Sequence, residues 1–294
     1  MKFLIIGASG FVGSRLLKTA QRAGHTAIGT ATSHGTKLIH FDLRHHRILD
    51  RVQRRFFQTD EPVFAVYCSN YCGVDQCLAQ RAQSYNVNVT QVKTLIDGLT
   101  SLDVIHVYLS TSYVFDGAKG DYVEDDICMP INEYGRQKLE IERNLCDSRE
   151  NALVLRLGKV VDDHNETTHM FQDWYRLAEA QRPIECIEGQ RLSPTLVGDV
   201  ATSILTACEL RLKGIYHIAN RESCLRDWLA HRFLEITGGP SEIHLTTADE
   251  LGLLDRRPLR ADLNPSRFIE ATGMRFTPIE EMIEQFRDSV RSKV

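Results

Sequence analysis

Apolar positions along the first 157 residues fall in short unbroken runs, separated by stretches with helical spacing. The runs are Lys2–Ile6, Thr26–Ala31, 37–41, 63–69, 104–109 and Ala152–Leu157. Runs this short, rich in Val, Ile and Leu and lacking polar alternation, suit strands covered on both faces, as in a parallel sheet. Between the first two, Leu16, Leu17 and Ala20 share one helical face and Gly24 supplies a C-terminal stop. Further helices are predicted over 78–99 and 134–146. Strands alternating with helices predict an α/β fold, a doubly wound parallel sheet with helices on both faces.

After Gly158 the pattern loosens. Positions 164–168 read as a polar loop, 170–181 as a helix, 183–194 as irregular chain and 199–212 as a helix. The run 214–219 reads as a strand able to return to the main sheet, and 224–237 and Ile279–Arg291 as amphipathic helices. No repeat or low-complexity linker divides the chain. The expected organisation is a main domain over 1–157, with roughly 196–220 returning to it. A smaller interleaved α/β lobe would form from 158–195 and 221–294.

Composition narrows the function classes. A chain of 294 residues, 43% hydrophobic, can bury one large core plus a smaller one. Its net charge of −4 comes from mixed signs, so neither nucleic acid nor an anionic membrane surface is an expected partner. The apolar runs are too short to span a bilayer or to serve as a signal-peptide core, which predicts a cytoplasmic protein. Eight scattered cysteines suit reduced thiols. Cys68, Cys72 and Cys77 cluster without paired C-x-x-C or histidine spacing, so they read as small buried side chains and no metal site is expected.

The first run leads straight into Gly7-Ala8-Ser9-Gly10-Phe11-Val12-Gly13 and then a helix. A glycine turn there lets backbone approach a pyrophosphate, and the helix N-terminus offers free N–H groups and a positive dipole end. The second strand ends Thr30-Ala31-Thr32-Ser33-His34, with no acid to hold a ribose 2′-hydroxyl, and Lys37 is near. That combination leaves room for a 2′-phosphate and favours NADP over NAD. Asp42-Leu43 follows the third strand, where the carboxylate could meet an adenine edge or cap a helix, and Arg44-His45-His46-Arg47 reads as a solvated face. Asn86 and Asn88 fall inside the 78–99 helix, and Asn88 is the better placed to bond backbone carbonyls near a site.

Ser110-Thr111-Ser112-Tyr113 follows the fifth run, and Tyr134 stands four positions before Lys138. On a helix, residues i and i+4 share a face, and an ammonium beside a phenol favours the phenolate. That would lower the phenol pKa from about 10 toward the working pH, as acid–base chemistry requires. The Gly7 turn, Asp42, Cys68 to Tyr71 and Thr111 all follow strand ends. In a doubly wound sheet these ends form one ligand-binding edge.

Taken together, these motifs resemble the extended short-chain dehydrogenase/reductases, and within them the dTDP-4-dehydrorhamnose reductase group. The resemblance runs through the glycine turn, Asp42-Leu43, Tyr71…Val74-Asp75, Val87-Asn88 and Leu109 to Gly117. It continues through Pro130 to Glu140, Ser193-Pro194-Thr195…Asp199-Val200-Ala201, Gly214 to His217 and Arg257-Pro258. It implies a Rossmann-like fold and a catalytic Thr111, Tyr134 and Lys138. Tyr134 would donate a proton to a keto oxygen as NAD(P)H delivers hydride, Lys138 would lower its pKa and bond the nicotinamide ribose, and Thr111 would orient the carbonyl. Gly7, Ser9, Gly10, Phe11 and Val12 would hold pyrophosphate; Asp42, Leu43, Cys68, Ser69 and Asn70 would line the cofactor; Ser112 and Tyr113 would face the sugar.

The implied reaction is NADP(H)-dependent reduction of a keto group on a nucleotide-linked deoxysugar, NAD(H) being the alternative cofactor and a homodimer compatible. The chain departs from the family at Ser112, usually Asp, at Leu192, usually Gly, and after the sixth strand, where Leu157-Gly158-Lys159-Val160 lacks the usual tryptophan. Gln190-Arg191…Pro194-Thr195 is similar to the regulatory β-subunit of methionine adenosyltransferase. That gives a second expectation, a cofactor-binding regulatory subunit with little catalysis.

Overall fold

The computed structural model describes residues 1–33, 37–45, 47–148, 151–162 and 169–292. His34, His46 and the 164–168 loop lie outside the described residues. In chain order the elements are β1 (Lys2–Ile6), α1 (Phe11–Arg22), β2 (Thr26–Ala31), β3 (Ile39–His40), β4 (Val63–Tyr67), α2 (Val74–Ala79), α3 (Arg81–Tyr85), a π-helical turn (Asn86–Gln91), α4 (Val92–Thr100), β5 (Val104–Thr111), α5 (Glu133–Ser148) and β6 (Ala152–Leu157). There follow β7 (Lys159–Val161), α6 (Met170–Glu179), β8 (Ile184–Ile187), β9 (Arg191–Leu192), β10 (Pro194–Leu196), α7 (Val197–Glu209), β11 (Gly214–Ile218), β12 (Cys224–Leu225), α8 (Arg226–Thr237), β13 (Ile243–Thr246), α9 (Ser266–Thr272) and α10 (Ile279–Arg291).

Seven strands form one parallel sheet in the order β11-β6-β5-β4-β1-β2-β3. This is the Rossmann-like arrangement expected, and β11 returns to it by pairing Gly214–Ile218 along β6. Strand β1 shows why both faces must be covered. Phe3 and Ile5 pack with Leu16 of α1 and Ile204 of α7, whereas Leu4 and Ile6 pack with Ile96 of α4 and Ile141 of α5. The order in which strands are added reverses between β1 and β4, β2 and β3 lying to one side and β5 and β6 to the other, so the C-terminal ends of β1 and β4 open a crevice.

Three expectations change. The run at 37–41 yields only the two-residue edge strand β3, which makes two pairings with β2. The helix predicted over 78–99 is broken at Gln80 (φ −117°, ψ 45°) and again by the π-helical turn. The 183–194 segment holds β8, β9 and the start of β10 instead of irregular chain. Those strands are two to four residues long and pair with β13, β12 and β7, too short and too remote for a period to show. A separate apolar cluster sits on this side, with Phe171 and Phe233 ring centroids 5.2 Å apart and Phe233 and Phe286 5.6 Å apart.

Candidate active site

Strand β5 runs two residues further than its apolar core, so Thr111 is the last strand residue, paired with Leu157 of β6. Helix α5 starts at Glu133 under several restraints. Asn132 Oδ1 accepts from Gly135 N–H (2.7 Å), an N-cap bond, and Asp255 Oδ2 accepts from Glu133 N–H (2.8 Å). Gly135 is required at this start because a Cβ there would overlap the Tyr113 carbonyl oxygen. This close approach sets Tyr113 edge-on to Tyr134, ring centroids 6.3 Å apart.

Thr111, Tyr134 and Lys138 come together, but the electrostatics differ from expectation. Burial pushes the Tyr134 phenol above its ordinary pKa, with the Thr111 hydroxyl pulling the other way. Lys138 is buried and its Nζ donates to the Leu109 carbonyl (3.0 Å), 5.8 Å from the Tyr134 ring centre and 4.9 Å from that of Tyr108. Desolvation brings the Lys138 ammonium down to about 8. The expected lowering of the Tyr134 pKa is therefore corrected: in this arrangement burial outweighs the Thr111 hydroxyl and raises the phenol.

Two cavities meet at Asn70. One, of about 450 Å³, is lined by Gly7, Ser9, Gly10, Asp42, Leu43, Cys68 and Ser69. The other, of about 530 Å³, is lined by Phe11, Val12, Thr111, Ser112, Tyr113 and Tyr134. Lys138 lines neither, because its ammonium is turned onto Leu109 beneath Tyr134. Gly7 has φ +84°, and a Cβ there would lie 2.9 Å from the Ser69 backbone, so only glycine lets the ends of β1 and β4 close up. Gly10 precedes α1 without a side-chain cap, leaving first-turn N–H groups available to an anion. Cys68 is half-buried, and desolvation pushes its thiol up to about 12. The Asn70 amide donates to the Cys72 carbonyl.

Around the first cavity two readings are corrected. Asp42 caps no helix; it accepts from Arg44 N–H (2.9 Å) and pairs with the guanidinium (2.6 Å), which holds its carboxyl down at about 2. Arg44 lines this cavity and is exposed, in keeping with the solvated face read from the sequence, while Lys37 lines no part of this cavity. Asn88 also behaves differently. Its Oδ1 accepts from Tyr71 N–H (2.8 Å) and its amide donates to Gln137 Oε1 (2.9 Å), tying the β4 loop to α5. The second cavity holds residues that the motif reading missed: Lys159, Arg226 and His169, which stacks on Phe11 at 3.6 Å. Lys159 follows a strand end, the signal that found Thr111; the other two carry no local signature. Among the described residues no cluster of His, Cys, Asp and Glu is arranged to hold a metal, and no helix is long and apolar enough to cross a membrane.

A parallel sheet with a glycine turn at its switch point and Thr, Tyr and Lys at the end of β5 defines an extended short-chain dehydrogenase/reductase-like protein. The chain belongs to the RmlD substrate binding domain family, whose sequence profile matches residues 1–292. It is 28% identical over 297 aligned residues to dTDP-4-dehydrorhamnose reductase of Mycolicibacterium smegmatis, covering 100% of this chain and 86% of that protein. It is 26% identical over 289 aligned residues to methionine adenosyltransferase 2 subunit beta of Rattus norvegicus, covering 93% of this chain and 83% of that one. The structure of a Bacillus anthracis dTDP-4-dehydrorhamnose reductase in complex with NADP shares the fold, with a TM-score of 0.83 at 23% identity over 97% and 98% of the two chains.

Proposed function

We propose that this protein is an NADP(H)-dependent reductase of a keto group on a nucleotide-linked deoxysugar. The observation that carries the reading is the placement of Tyr134 beside Thr111 and above Lys138, facing the second cavity. The glycine turn fits a dinucleotide, since Ser9, Gly10 and the uncapped start of α1 face the first cavity. NADPH supplies hydride when bound. Thr111 would orient the carbonyl oxygen, and Tyr134 would give it a proton as the carbon is reduced. Lys138, fixed on Leu109, would stabilise the phenolate left behind. Ser112 and Tyr113 line the space left for the sugar.

The second reading, a cofactor-binding subunit with little turnover, is favoured by the similarity to the methionine adenosyltransferase subunit. The two part at Tyr134. With a dTDP-4-keto-deoxysugar, Tyr134→Phe should cut NADPH oxidation by about 10²–10⁴-fold, while NADPH binding, read by fluorescence, persists. Undiminished turnover in the variant would sink the mechanism, and no turnover by the unchanged protein on any nucleotide keto-sugar would favour the subunit reading.

A further inference from the structure

Three cations, Lys159, Arg191 and Arg226, line the cavity beside Tyr134, and among its described lining residues there is neither Asp nor Glu. Lys159 stands two residues beyond Leu157, the strand partner of Thr111, so it belongs to the reacting end. Arg191 is partly neutralised and held still: Nε donates to Ser223 Oγ (3.0 Å) and lies 3.6 Å from Asp262. Arg226 opens α8, lies 5.7 Å from the centre of the Trp174 ring and donates to Gln190 Oε1 (3.4 Å). Its Nε is buried without a hydrogen-bond partner. Among the described residues neither Lys159 nor Arg226 pairs with a carboxylate.

Such a grouping places like charges together with no acid among the described lining residues. The ammonium of Lys159, an exposed residue, and the nearby Arg226 guanidinium oppose each other. An unpartnered buried guanidinium nitrogen adds a cost that folded proteins retain where the group serves a site. An oxyanion between these side chains would relieve both, with charge-assisted hydrogen bonds of the stronger kind. Gly7, Ser9 and Gly10 of the glycine turn line the other cavity, and of that turn Phe11 and Val12 border this one from the side away from Lys159 in sequence, so this anion would be a different one from the dinucleotide's phosphates.

We propose that Lys159, Arg226 and Arg191 form an oxyanion subsite that holds an anionic group of the substrate, a carboxylate or a phosphate, next to the reacting carbonyl. Calling the occupant a substrate rests on the reductase reading; the subsite itself does not. The test is calorimetric titration of the full chain with UDP-glucose, UDP-glucuronic acid and inorganic pyrophosphate. It is run on the unchanged protein, on Lys159→Met and Arg226→Met, and on Lys18→Met, an exposed cation of α1, as control.

At least one probe should bind about tenfold more weakly or worse to each cavity variant, with Lys159→Arg restoring affinity and Lys18→Met changing nothing. Weakening of UDP-glucuronic acid alone identifies a carboxylate on the sugar; equal weakening of all three identifies phosphate. Unaltered binding of every probe by both cavity variants, or binding of none by the unchanged protein, overturns the subsite. The reductase reading is judged separately by NADPH oxidation, which this titration does not measure.

Discussion

Lys138 has lost its contact with water, and its ammonium gives up its proton near pH 8 instead of 10.5. If the charged form supports proton transfer from Tyr134, turnover should hold below about pH 8 and fall as pH rises through that value. A pH–rate profile flat to pH 10 would contradict it. For stability the sign is opposite, because the folded state resists protonation: the penalty is present below about pH 8 and fades toward pH 10.5. Arg44 gives a second prediction at this scale. With Thr30, Thr32 and a carboxylate already paired to it, it is the cation placed to meet a 2′-phosphate. Arg44→Ala should weaken NADPH binding about tenfold or more and NADH binding much less, by titration of each; equal losses would refute the assignment. That Tyr134 and Lys138 lie on one side was legible because helical spacing puts residues four apart on one face. Arg44 was not, since a turn two residues beyond Asp42 decides where its side chain goes.

At the scale of elements, α5 carries Tyr134 and Lys138, and a buried ion pair fixes it to the sheet. Arg156 of β6 meets Glu142 of α5 at 2.8 Å, both side chains 3% exposed or less, and also donates to the Glu124 carbonyl (3.1 Å). Glu142→Ala would strand the guanidinium and should cost about 3–5 kcal/mol, seen as a lower urea midpoint with an unchanged slope. A loss under about 1 kcal/mol would mean the pair is not what anchors the helix. Apolar runs and helical faces made the main sheet readable almost strand for strand, because each element there buries a whole face. The π-helical turn was not readable: Val89, Val92 and Ile96 keep a helical spacing from the turn into α4, and the extra residue is set by Asn88 reaching Tyr71 and Gln137. The short strands β8, β9 and β10 owe their existence to distant partners, which no local pattern reports.

Over the whole molecule, the second cavity is built by both halves, with Thr111 and Tyr134 on one side and Arg191, Arg226 and Ala261 on the other. The loop at 255–257 joins them. Asp255 receives the Glu133 N–H, the Arg256 carbonyl receives the Asn132 amide (3.1 Å), and Arg257 pairs with Asp75 of α2 at 2.9 Å. Asp255→Ala should cost about 1 kcal/mol and lower kcat with little effect on NADPH affinity, since the glycine turn lies in the other cavity. Matched losses of kcat and cofactor affinity would argue against this division. The pairing of β11 with the main sheet was legible from the apolar run at 214–219, but the loop was not, because its partners lie more than a hundred residues upstream.

That loop also sets a timetable. The first turn of α5 acquires its last hydrogen-bond partner from a residue 122 positions further along the chain. On a ribosome adding 5–20 residues per second, that partner is made roughly 6–24 s after Glu133. By then all the residues of β1 to β6 have been made, while the helix bearing Tyr134 still lacks its fastening.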